Sequence, residues 1–160
     1  MIFLLLMVLG EPKMIGDISD LAYMVGEWHG TGWIAQQGGP RQTFTVKEHV
    51  QVKAGGSVLA IDGAGKDEQG VLVHDAFGLI SKTSDGTLQF QAFKSGQSVG
   101  GDMEKTEEGH LVWGFKLPSG QIRYTLDFST IDVWIEQGHF SPDGSNWYPF
   151  LEMKLQRVTP

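Results

Sequence analysis

The chain contains no cysteine among its 160 residues. That excludes a disulfide framework, a thiolate nucleophile and a cysteine-ligated zinc. It has no two adjacent lysines or arginines, and its formal net charge is −7. Phosphate backbones are bound by clustered cations, so nucleic acid is not an expected partner, and neither is an anionic membrane surface. Long apolar runs are scarce too. The longest, Met1 to Leu9, is far too short to cross a bilayer as a helix. It looks like the apolar stretch of a secretory signal, yet it lacks a positive flank and a small-residue cleavage site before Glu11-Pro12. Residues 1–16 are therefore expected to form an apolar arm that packs on the protein or pairs with a second copy, giving a homo-oligomer. A cytoplasmic location is favoured. A secreted or periplasmic one is the alternative if residues 1–10 are a signal remnant.

Glycine is plentiful, with 22 residues. It punctuates a series of short β-type runs, as tight turns and barrel corners require. The runs fall at 27–35, 43–54, 57–65, 71–82, 87–94, 97–106, 110–117, 121–129, 131–140 and 146–158. Turn signals separate them, among them Ser84-Asp85-Gly86, Glu107-Glu108-Gly109, Pro118-Ser119-Gly120 and Pro142-Asp143-Gly144. Links this short force antiparallel neighbours. The reading is all-β: residues 17–160 form one up-and-down antiparallel closed barrel of about ten strands, a topology that removes exposed edges. Before the first strand, Asp17 to Asp20 offers N-cap chemistry, and Leu21, Met24 and Val25 follow at helical spacing. A short helix capping one barrel end, with Gly26 as its C-cap, is predicted.

Alternation assigns faces. Phe44, Val46, Val50 and Val52 share one face of their strand. Leu111, Trp113, Phe115 and Leu117 share another, as do Ile122, Tyr124, Leu126 and Phe128. A slip of one residue would invert each set, so the register is strongly specified.

Gly26-Glu27-Trp28, following a short helix, matches the G-x-W of lipocalins, and Arg157 matches the late arginine that stacks on that tryptophan in them. On these residues the chain resembles the calycin superfamily of lipocalins, fatty-acid-binding proteins and nitrobindin-like barrels. The lipocalin T-D-Y motif is absent. Gly26, Trp28, Gly30 and Gly32, ahead of Phe44 and Glu48, are closer to the nitrobindin-like pattern. The late set Trp134, Glu136, Gly138, Asp143, Gly144, Trp147, Glu152, Met153, Leu155, Arg157 and Val158 resembles an uncharacterised bacterial domain family of this fold. The resemblance implies a ten-strand barrel shut by a Trp28–Arg157 stack. Nitrobindin-like proteins hold heme through a histidine of the last strand, and residues 146–158 contain none. No heme or other cofactor is expected.

Glu48 lies between Val46 and Val50 on an apolar face. Buried there, its carboxylate is either satisfied by water or an arginine, or it serves as a ligand anchor or general base. Arg123 and Tyr124 are adjacent and so face opposite ways. Tyr124 is the expected interior residue, and Arg123 becomes the internal cation only if a bulge reverses the register. His74 with Asp75 cannot orient each other from neighbouring strand positions. The five histidines show no metal-ligand spacing, so no metal is predicted. Glu136 and Glu152 sit on strands that a meander makes neighbours.

The expected function is binding of a small, largely apolar or aromatic ligand with one polar end. Phe44, Val46, Glu48, Phe90, Trp113, Phe115, Arg123, Tyr124, Trp134 and Glu136 are the predicted contacts. The first alternative is a small lyase, isomerase or cyclase in which Glu48, Tyr124 or His74 moves a proton. The second is a structural or oligomeric barrel filled by its own side chains. The balance favours a binder over an enzyme.

Overall fold

The computed structural model describes residues 17–35 and 38–159. The apolar arm expected at 1–16 lies outside the described residues. A short 3-10 helix, Ser19–Met24, precedes ten strands: β1 Gly26–Ile34, β2 Gln42–Lys53, β3 Val58–Lys66, β4 Leu72–Lys82 and β5 Leu88–Lys94. They continue as β6 Gln97–Glu107, β7 His110–Leu117, β8 Gly120–Asp127, β9 Val133–Ser141 and β10 Tyr148–Arg157. Each strand pairs antiparallel with its sequence neighbour, and β1 also pairs with β10, which closes the barrel. Among the described residues, no helix is long and apolar enough to cross a membrane.

The strand ends depart from the expected runs for local reasons. Asp132 takes a φ of 57°, which is incompatible with an extended run from 131, so β9 starts at Val133. Asp143 accepts from the backbone N–H groups of Ser145 and Asn146, which delays β10 until Tyr148. The helix is tighter than expected. Asp17 Oδ1 accepts from the Ser19 N–H at 2.8 Å. The predicted C-cap role of Gly26 is corrected: Val25 ends the helix and Gly26 opens β1.

Alternation holds strongly on β2, where Phe44, Val46, Glu48 and Val50 are buried between exposed neighbours. Val52 keeps the parity but is exposed. At the closed end, Leu21 and Met24 of the helix are fully buried. Trp28 Nε1 donates to the Met24 carbonyl at 2.9 Å, and the Arg157 guanidinium lies 4.1 Å above the Trp28 ring. Arg157 also donates to the carbonyls of Val25 and Tyr23 and, through Nε, to Asp132 Oδ1 at 2.8 Å. Trp28, Phe128 and Trp134 meet at centroid distances of 5.1 to 5.9 Å and form the barrel floor. A cation–π contact and three hydrogen bonds from one side chain thus pin helix, first strand and last strand together.

Candidate functional site

The barrel is not filled. Above the floor lies a cavity of about 390 Å³. Its walls differ in side-chain size. The inward Ala76 of β4 and Ala92 of β5 line it with small side chains, while Gly63, Gly65 and Gly78 of β3 and β4 lie under Glu48, Phe44 and Phe90. From β5 round to β10, Phe90, Trp113, Tyr124 and Phe150 form a continuous aromatic wall. Phe90 stacks on Trp113 at 4.1 Å, Trp113 on Tyr124 at 4.7 Å, and Tyr124 meets Phe150 edge-on at 5.8 Å. The last contact crosses β9, and Gly138 permits it. A Cβ there would lie 2.8 Å from the Phe150 ring and 3.1 Å from that of Tyr124.

Into this apolar hollow project two carboxylates, Glu48 of β2 and Glu136 of β9. Glu48 is opposite Trp28 in the strand register, and Glu136 is the next inward residue after Trp134, so both sit just above the floor. Glu48 is 5% exposed. Its carboxylate lies over Gly63, where a Cβ would come within 2.4 Å of both oxygens. Glu48 Oε1 is 3.5 Å from His74 Nε2, and the His74 ring stacks on Phe44 at 5.9 Å. Burial raises the Glu48 pKa, the His74 hydrogen bond and charge pull it back, and Asp62 adds to the rise. Glu136 keeps a little accessible surface, and the hollow is what it faces. Its pKa is pushed up to about 8, first by burial and then by the charge of Glu48. Glu136 is thus predominantly a neutral acid at pH 7, able to donate a hydrogen bond. Burial, with the Glu136 charge behind it, raises the Tyr124 phenol further above its ordinary range. Tyr124 is therefore a hydrogen-bonding group rather than a base at neutral pH.

Among the described residues, five buried polar side-chain atoms have no hydrogen-bond partner: Tyr23 Oη, His74 Nδ1, Arg123 Nε, Trp134 Nε1 and His139 Nδ1. Unmet donors and acceptors are uncommon in packed protein and carry a desolvation penalty. At the opposite end, Lys94 and Gln97 flank the β5–β6 turn and line the mouth. Burial lowers the Lys94 pKa, and Asp75 opposes the shift.

The structure brings together Glu48, His74, Phe90, Trp113, Phe115, Tyr124, Trp134 and Glu136 around one cavity. It does not bring Phe44, Val46 or Arg123 to it. Phe44 and Val46 point inward, but they are buried in the packing beside the hollow rather than lining it. Arg123 is corrected outright: it faces outward, with its guanidinium 4.0 Å over Trp147. The register shifts lie in β3–β4, β6–β7 and β9–β10, none of them on Arg123's pairings, so nothing turns Arg123 inward. Glu152 also faces outward and accepts from Gln137 Nε2 at 2.9 Å, so the partner of Glu136 is Glu48 rather than Glu152. Sequence reasoning missed Lys94, Ala92 and Phe150. Lys94 was findable, since it shares the parity of Leu88, Phe90 and Ala92 on β5. Among the described residues, no group of three potential ligands could hold a metal ion.

No family model matches the chain, and no curated protein does. Solved structures do. The barrel is similar to Rv2717c from M. tuberculosis, with a TM-score of 0.66 at 12% identity over 88% of this chain and 96% of that one. It is also similar to the S-type phycobiliprotein lyase CPES from Guillardia theta, with a TM-score of 0.65 at 10% identity over 92% of this chain and 95% of that one. Identities this low establish the fold alone. The closed ten-strand barrel and these two likenesses fit a calycin-like barrel fold.

Proposed function

We propose that the protein binds a small, largely apolar or aromatic molecule with one polar end inside the barrel. The supporting observation is a hollow of about 390 Å³ that combines an aromatic wall with a few convergent polar groups at its floor. That volume lies within the ~300–1,000 Å³ of small-molecule sites, and so does the mixture of many apolar walls and few polar anchors. A barrel whose interior served stability alone would be filled, because dense packing maximises dispersion contacts. Here Ala76 and Ala92 line the hollow with small side chains and leave space open at the expense of such contacts. The aromatic wall supplies flat surface at small conformational entropy, which suits a ring-bearing ligand. Glu48, Glu136 and His74 anchor its polar end.

Two measurements test the reading. Native mass spectrometry of protein purified from its own host should show a retained small molecule, or the emptied protein should take up the neutral dye N-phenyl-1-naphthylamine with a rise in fluorescence. Ala92→Phe projects a ring into the hollow and should abolish dye uptake while the barrel stays folded. A folded wild-type protein that carries no ligand and takes up no dye, or an Ala92→Phe protein that binds as well as wild type, overturns the proposal.

A further inference from the structure

The charges facing the hollow are unevenly placed, and that decides which end of a ligand enters first. Near the floor are two carboxylates, Glu48 and Glu136. Among the described residues, the only lysine or arginine lining the cavity is Lys94, at the mouth. Arg123 stacks outside on Trp147, and Arg157 is held by Trp28, Asp132 and two backbone carbonyls. A ligand carboxylate driven to the floor would stand beside Glu48 and could be held only while Glu136 keeps its proton. A cationic head would instead find two acceptors there, and charge-assisted hydrogen bonds are the stronger kind.

Building on the reading of the hollow as a ligand site, we propose that it takes a basic amphiphile. An apolar or aromatic body lies along the aromatic wall. A protonated amine, amidine or nitrogen heterocycle is held between Glu48 and Glu136. Any anionic group of the ligand points outward to Lys94.

The proposal has a distinctive proton balance. The titratable groups facing the hollow are Glu48 from β2, His74 from β4, Lys94 from β5, Tyr124 from β8 and Glu136 from β9, with Asp62 behind Glu48 on the outer side of β3. Glu136, with its pKa of about 8, holds a proton in the empty barrel at neutral pH. Seating an ammonium group there expels that proton. Affinity for an amine therefore rises with pH up to about 8 and then levels off, by at most about tenfold per unit. Affinity for a carboxylate falls over the same range.

The test compares 4-phenylbutylamine, 4-phenylbutan-1-ol and 4-phenylbutanoate by calorimetry on the full chain at pH 7.5. The expected order is amine, then alcohol, then carboxylate, with the amine at least about tenfold tighter than the alcohol. Repeating the amine titration in buffers of different ionisation heat should show close to one proton released at pH 7. Glu136→Gln should remove the proton release and the pH trend and reduce the preference for the amine, while alcohol binding persists and reports that the variant is folded. An alcohol that binds as well as the amine, or a carboxylate that binds best, overturns the head-group assignment while the cavity reading stands. Absence of binding by all three overturns both. If Glu136→Gln does not fold, the wild-type ranking and its pH trend decide alone.

Discussion

Replacing Glu136 with glutamine should flatten the pH dependence of folding stability. The Glu136 carboxyl titrates at about 8 in the folded protein against an ordinary 4.5, because the barrel removes water from it and Glu48 shares its space. Below pH 4.5 the folded and unfolded chains both hold the proton, and nothing is lost. Between 4.5 and about 8 only the folded chain holds it, so stability falls as pH rises. Above about 8 both chains are ionised and the loss is complete. At about 1.4 kcal/mol per unit, the full shift sets a ceiling of about 5 kcal/mol. Part of that loss falls outside the accessible pH range, so about 4 kcal/mol is expected between pH 5 and pH 8.5. The assay is urea denaturation of wild type and Glu136→Gln at intervals from pH 5 to pH 8.5. Glutamine keeps the shape and does not titrate, so the difference between the two curves isolates this group. The wild type should lose about 4 kcal/mol relative to the variant across that range. Parallel curves would refute both the burial of Glu136 and its coupling to Glu48.

Two further substitutions probe the frame. Arg157→Lys keeps the charge but loses the flat stack on Trp28 and the fork that reaches two carbonyls and Asp132. Urea denaturation should register a loss of about 2 to 3 kcal/mol, and a change below about 0.5 kcal/mol would contradict the closure described above. Gly63→Ala places a Cβ within 2.4 Å of both Glu48 oxygens. The carboxylate is the free end of its side chain and can swing aside, so stability should fall by only about 1 to 2 kcal/mol. A crystal structure of the variant should show Glu48 parted from His74, and an unmoved pair would sink that account of the glycine.

Much of the fold was legible because the β pleat is a local property. Side chains two apart share a face whatever the strand pairs with, so Phe44, Val46, Glu48 and Val50 declared one inward set from sequence alone. The ten runs matched the ten strands to within two residues at either end. Parity also favoured Tyr124 over Arg123 as the interior residue, and Arg123 stayed a candidate only because bulges cannot be placed from sequence. Height within the barrel was not legible. Val46 and Glu48 have the same parity, yet one is packed and the other lines the cavity. Their neighbours on adjacent strands decide between those outcomes, through the stagger that closes the ring. The pairing of Glu136 with Glu48 depends on the same stagger, since 88 residues separate them in the chain.

The sequence by itself determined that these residues form short alternating strands with tight links, and which side chain of each neighbouring pair turns inward. Only the closed tertiary structure decided that the inward set leaves a hollow, and that two distant carboxylates share its floor with a histidine. The reason is physical. Alternation follows from backbone geometry one residue at a time, whereas empty space and a raised pKa follow from the sum of side chains around the whole ring.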